Sequence, residues 1–168
     1  MDAREFLSKV PLFAGALNAD QLAFLAKGSR TAFFLAGTRL MNQGDFGGSM
    51  FVITEGKVGV TFVDADAREQ LVATLGPGDV VGEMSLFTGD RRTATVSAIS
   101  NVNAIEITKW SLERVFAKAP DLIDIFAAVL AKRQAELNAV SRSRSVSSNE
   151  KFAQNARRVF VNIFGGAG

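Results

Sequence analysis

Residues 82–96 read GEMSLFTGDRRTATV, which sets a glycine, an acid and an arginine close together in an otherwise apolar neighbourhood. If Gly82 to Leu86 opens a short helix between two strands, the first amides of that helix have no partner within it and point along its axis. With the helix dipole they make a site for an anion, and a glycine lets the backbone approach it closely. Arg92, ten residues after Gly82, can return on the next strand with a planar, permanently charged fork. Glu83 is out of place beside an anion alone. It fits a ligand that also offers a hydroxyl. A phosphate with a nearby ribose hydroxyl meets both demands. Ser85, Thr93 and Ala94 are small enough to leave room, and the two hydroxyls can donate to phosphate oxygens. A plainer reading makes Gly82 a turn residue, Glu83 a helix-end charge and Arg92 its salt-bridge partner.

Outward from this stretch, from about Ser29 to Thr108, apolar and polar residues alternate in short runs. The runs include Thr31–Leu35, Met50–Thr54, Lys57–Phe62, Gln70–Thr74, Thr93–Ile99 and Val102–Ile107. Glycine punctuates them, and Glu55-Gly56 and Gly76-Pro77-Gly78-Asp79 are strong turn signals. Many short strands at such spacing predict a β-sandwich or barrel.

Helical patterns flank the strands. Arg4 to Val10 reads as a short turn or helix ended near Pro11. Asn18 with Gln21 resembles a capping box, Leu22, Leu25 and Ala26 follow at helical spacing, and Gly28 is placed to end the helix as its C′ residue. After the strands, Trp110 to Lys118 is one helical segment, and Pro120 suits the first position of another. Leu122, Phe126, Val129, Leu130, Arg133, Leu137 and Val140 fall on one face of it. A stripe that long needs a surface to cover: the barrel, a ligand, or a second copy of itself. The domain is therefore expected to occupy residues 1–140. Residues 141–168 follow as a Ser/Arg linker, SRSRSVSSN, and a short amphipathic segment from Phe152 to Phe164.

Composition narrows the chemistry. The 168 residues contain no cysteine and no histidine. A thiolate metal site, a histidine-lined metal centre and a Ser-His-Asp enzyme are all disfavoured. From Lys132 onward seven basic residues face two acids, while the rest of the chain carries a net charge of −3. The tail reads either as a solvated helix end and linker or as a contact for a phosphate-bearing surface or acidic partner. The first residues, MDAREFLSKV, do not look like a signal peptide, and no run of eighteen apolar residues is present. A cytoplasmic location with no membrane span is the expectation.

The stretch GEMSLFTGDRRTATVSA closely resembles the phosphate-binding cassette of cyclic nucleotide-binding domains. Gly82, Glu83, Met84, Ser85, Leu86, Arg92, Thr93, Ala94 and Thr95 all fall in that pattern. The likeness continues in Val10-Pro-Leu-Phe13, Gln43-Gly44-Asp45, Phe51 to Val60 and Leu75-Gly-Pro-Gly-Asp79, in the family's order. The resemblance covers roughly residues 5–140. It implies a mainly β fold with flanking helices: an eight-stranded β-roll, or jelly roll, with N-terminal helices and a long C-terminal lid helix. It implies that Arg92 pairs with a cyclic phosphate, helped by Thr93, Ser85 and the backbone around Gly82 and Met84. Glu83 would take the ribose hydroxyl. The ligand would be a cyclic purine mononucleotide, cAMP or cGMP, with no cofactor besides it. Three positions depart from the family pattern: Ser85 replaces the usual Ala or Gly, Val81 a frequent Phe, and Arg91 a common Pro. Spacing gives the phosphate to Arg92 and turns Arg91 to solvent. Val60, Phe62, Leu71 and Val72 can line the base pocket or serve as core, and Arg133 can cap the base or snorkel.

The leading expectation is a regulatory sensor with no catalytic activity, its output read by a homodimer partner or an attached effector protein. A transcription regulator fragment lacking its DNA-binding domain, an enzyme on a jelly-roll scaffold and a degenerate interaction module are the alternatives. No nucleic acid partner is expected for the chain as it stands, because only 28 residues follow Val140.

Overall fold

The computed structural model describes residues 1–63 and 66–140, leaving aside the side chains at 70, 72 and 133–140. Two helices open the chain, α1 (Ala3–Ser8) and α2 (Ala19–Lys27). Asp2 caps α1 by accepting from the Arg4 and Glu5 amides. Asn18 caps α2 in a reciprocal capping box with Gln21, as the spacing predicts. The expectation for Gly28 is corrected. It ends α2 with φ −87°, a right-handed conformation open to any residue. It is glycine for room: a Cβ there would lie 2.8 Å from Ser111 Oγ, whose hydroxyl donates to the Gly28 carbonyl at 3.0 Å.

Eight strands follow, in two antiparallel sheets. The strands are β1 (Arg30–Phe34), β2 (Arg39–Met41), β3 (Ser49–Glu55), β4 (Val58–Val63), β5 (Glu69–Leu75), β6 (Val80–Val81), β7 (Thr95–Ala98) and β8 (Val102–Thr108). Their order is β1-β8-β3-β6 in one sheet and β2-β7-β4-β5 in the other. A short helix, α3 (Glu83–Thr88), interrupts them between β6 and β7, and α4 (Lys109–Lys118) and α5 (Leu122–Val140) complete the domain. This is the eight-stranded roll with flanking helices that the resemblance implies.

Strand β3 is buried on both faces, and that explains its unbroken apolar run Met50-Phe51-Val52-Ile53. Phe51 and Ile53 turn into the roll, against Met41, Val58, Val96 and Ala98 of the second sheet. Met50 and Val52 turn outward, with Val80, Ile105 and Ile107, onto a second core built with the helices. Leu122, Ile123, Phe126 and Leu130 bury one face of α5 there. The described part of the long stripe thus covers the domain's own helices and sheet. Pro120 sits two residues before α5 rather than at its first position: Leu122 and Ile123 bond back to Ala119 and Pro120, so Pro120 lies in the turn before the helix. Among the described residues no helix covers the outer face of the second sheet, and Leu71 and Ile99 stand exposed there. Residues 141–168, read above as linker and amphipathic segment, lie outside the described residues.

Candidate functional site

The cassette folds as a strand, a turn of glycine, a six-residue helix and a second glycine. Gly82 precedes α3 with φ 82° and Gly89 follows it with φ 74°, both left-handed conformations that favour glycine. With no side chain at its N-cap, α3 has no side-chain cap for its leading amides. That end is open to an outside acceptor.

Arg92 reaches this point from the strand side. It is 7% exposed, a buried guanidinium. Nη1 donates to the Gly82 carbonyl at 2.7 Å and to Ser85 Oγ at 2.9 Å, and Nη2 donates to the Ser49 carbonyl at 2.7 Å. Burial pulls its pKa below the usual guanidinium value, while attraction from Glu83 and then Asp45 works to restore it. The pocket that holds it is made of glycine. A Cβ on Gly47 would collide with Arg92 Cζ, Nε and Nη2, and one on Gly82 would meet Arg92 Nη1 and Met41 Cε. The main chain of 44–48 is fastened to the cassette by paired backbone bonds, Gly44 N–H to the Arg92 carbonyl at 2.8 Å and Arg92 N–H to the Asp45 carbonyl at 2.7 Å. Asp45, Gly47 and Ser49 were not assigned from the sequence as partners of Arg92. The Gly47-Gly48 pair was the available signal, since adjacent glycines mark a close backbone approach.

The other expected residues fall around this centre. Glu83 is 4% exposed, in the first turn of α3. Met84 is half-buried and packs on the helix-side core, so only its backbone faces the ligand end. Thr93 is exposed at the rim, next to Arg92. Ser85 is buried, with its hydroxyl between Arg92 Nη1 and the Gly82 carbonyl, to which it donates at 3.5 Å. Val60 packs on the roll interior, and Phe62, two residues on, shares its face. Leu71 does not join them. Val60 pairs with Ala73 and Thr61 with Leu71, leaving Val72 as the bulged residue. The extra residue flips the faces of β5, so Leu71 stands outside at 64% exposure beside Gly59 and Ile99. The side chains of Val72 and Arg133 lie outside the described residues.

A cleft of about 380 Å3 opens beside the carboxyl half of α3, lined in part by Phe46, Leu86, Gly89, Asp90 and Lys109. It meets the expected ligand set only at Ser85. Among the described residues no group of His, Cys, Asp or Glu side chains is placed to hold a metal ion, and no helix is long and apolar enough to cross a membrane.

The opposite side of α3 is aromatic. Phe87 is fully buried, with its ring centroid 5.9 Å from Phe126 of α5 and 6.5 Å from Phe116 of α4. Phe116 and Phe126 meet edge to face at 5.2 Å, and Phe13 closes the cluster at 6.1 Å from Phe126. The helix that carries Glu83 and Ser85 is thus wedged directly against α4 and α5.

Comparison with known proteins agrees with this geometry. The model of the cyclic nucleotide-binding domain matches residues 31–119, from β1 through α4. A CRP-like cAMP-activated global transcriptional regulator of Mycobacterium tuberculosis is 29% identical over 134 residues, 80% of this chain and 59% of that protein. Isozyme 1 of the cGMP-dependent protein kinase of Drosophila melanogaster is 34% identical over 120 residues, 70% of this chain and 16% of the kinase. The crystal structure of the N-terminal domain of a transcriptional regulator from Streptomyces coelicolor A3(2) superposes with a TM-score of 0.65 at 31% identity, covering 80% of this chain and 95% of that one. The chain spans 59% or less of the length of these two full-length relatives. It belongs to the cyclic nucleotide-binding domain family.

Proposed function

We propose that this domain is a sensor for a cyclic purine mononucleotide, cAMP in preference to cGMP, and that it performs no chemistry. The buried Arg92 fork at the uncapped end of α3, beside Glu83, carries this reading. The cyclic phosphate lies against the amides of α3 and takes donors from Arg92, with Thr93 at the rim. Glu83 accepts from the ribose hydroxyl, and Val60 and Phe62 border the base. Thr93 serves either base. A relative named for cAMP and one named for cGMP both match most of this chain, at 29% and 34% identity, which supports a cyclic nucleotide as the ligand. Binding acts by population shift: the ligand favours whichever arrangement of α3 gives it the better contacts. Phe87 then hands that arrangement to α4 and α5, for a partner copy or an attached effector to read.

Calorimetric titration of cAMP and cGMP against the wild-type chain and Arg92→Ala tests the reading. The wild type gives saturable heat with both and binds cAMP more tightly. Arg92→Ala loses on the order of 3 kcal/mol, about a hundredfold, because a charge-assisted contact disappears and the phosphate is left short of donors. No heat with either nucleotide overturns the sensor, and full affinity in the variant overturns the role of Arg92.

A further inference from the structure

Arg92 already gives three of its donors to acceptors within the protein before any ligand arrives. Both Nη1 protons are taken, one by the Gly82 carbonyl and one by Ser85 Oγ, and Nη2 holds the Ser49 carbonyl. The backbone of Gly47 lies so close to Cζ, Nε and Nη2 that a Cβ there would collide with them. A phosphate that is to receive a donor from Nη1 must therefore displace an acceptor already present. Two of the three are main-chain carbonyls, which any sequence would present at those positions. The third is a side chain, and it is the one that departs from the family pattern.

We propose that the Ser85 hydroxyl is a latch on Arg92: it holds Nη1 in the free protein, competes with the incoming phosphate, and so sets the affinity of the site. This rests on reading the site as a cyclic nucleotide pocket. It reverses the expectation from the sequence, in which Ser85 adds a contact to the phosphate. Three observations carry it. Ser85 is 4% exposed and lies within α3, so its hydroxyl is fixed in place rather than free to follow a ligand. The bond to Nη1 is short and charge-assisted, and it lies in a buried setting where such bonds are strong. The hydroxyl also has the Gly82 carbonyl at 3.5 Å, so it retains an acceptor when Arg92 lets go, and the latch can open without leaving a buried donor unpaired. Alanine at this position leaves Arg92 held by carbonyls alone, with one Nη1 proton ready for the phosphate.

The test is the affinity of Ser85→Ala and Ser85→Thr for cAMP and for cGMP, with the side-chain N–H resonances of Arg92 recorded in the nucleotide-free protein. Ser85→Ala binds both nucleotides about fivefold more tightly, since one charge-assisted competitor is removed and the phosphate is common to both. Ser85→Thr keeps the hydroxyl and binds within about twofold of wild type, the added methyl lying beside the cleft that Ser85 borders. In the free protein, loss of the Ser85 bond shifts the Arg92 Nη resonances and speeds their exchange. Weaker or unchanged binding by Ser85→Ala overturns the latch, the weaker case assigning the hydroxyl to the phosphate. If neither wild type nor variant binds a nucleotide, the pocket reading fails. The latch is then decided by the free-protein spectra, and identical Arg92 resonances in wild type and Ser85→Ala overturn it.

Discussion

The two sides of α3 are held by opposite kinds of force. A six-residue helix is too short to persist through its own hydrogen bonds, so its neighbours fix it. On one side the neighbours are glycines, two carbonyls and a guanidinium, joined by directional bonds. On the other they are Phe116 and Phe126, joined to Phe87 by packing alone. Hydrogen bonds from Arg92 can be traded one for one with those of an incoming phosphate. Packed rings offer no such exchange: to lose a contact they must open a void. On the proposed reading, that asymmetry makes one side a receiver and the other a transmitter, because only the polar side can change partners while the aromatic side must move as a block.

Breaking the aromatic side should have the largest effect. Phe87→Ala removes a fully buried ring that touches α4 and α5 at once. Phe→Ala changes in such settings cost about 3–5 kcal/mol, the lost transfer energy plus the cavity left behind. Urea unfolding followed by circular dichroism measures it. A loss below about 1 kcal/mol means that α3 is held from its polar side, and the division of labour collapses.

Crowding the polar side sharpens the comparison at intermediate magnitude. Gly47→Ala puts a methyl group where Arg92 lies, and Arg92 is the far end of a flexible side chain, so it moves rather than the strand. Displacing it leaves the Gly82 and Ser49 carbonyls short of a donor and costs about 1–3 kcal/mol. The same substitution in an Arg92→Ala background is freed of the three closest contacts, so a double-mutant cycle returns most of the cost as coupling. Additive penalties mean that Gly47 matters for some other reason.

Much of this was visible in the sequence where the pattern is local. Six strands announce themselves as short apolar-rich runs between turn signals, and the Asn18–Gln21 box fixes the start of α2 because its two bonds close within one turn. The strands β2 and β6, at three and two residues, are too short to show any period. The cassette was legible because Gly82, Glu83 and Arg92 stand together in a spacing that resembles the family's phosphate-binding pattern. What stayed hidden depends on contacts distant in sequence. Nothing near Gly28 says that Ser111 presses on it, and nothing near Gly47 says that Arg92 does. Leu71 was misplaced because the bulge at Val72 puts the parts of β5 on its two sides out of step, so that Leu71 faces opposite to Ala73. Ser85 was read toward the ligand because its bond to Arg92 exists only once the strand has returned.

The smallest effect should come from the arginine next door, which makes it the sharpest control. Arg91 is exposed, as its neighbour's burial requires, since adjacent residues on an extended segment point apart. It is less idle than a solvent-facing charge, because its guanidinium lies over the Phe46 ring at 4.2 Å and Nη1 donates to the Gly44 carbonyl at 3.0 Å. Both partners belong to the β2–β3 loop, which also supplies Asp45 and Gly47 to the Arg92 seat. The contact is nevertheless wet: Phe46 is itself exposed, and a surface cation–π pair contributes about 0.5–1 kcal/mol. The backbone bonds of Arg92 to Gly44 and Asp45 hold the loop without it. Arg91→Ala should therefore lower stability by less than about 1 kcal/mol and leave nucleotide affinity within about twofold of wild type. A hundredfold loss on titration would move the phosphate contact from Arg92 to Arg91, and the polar side of α3 would have to be redrawn around the wrong-looking arginine.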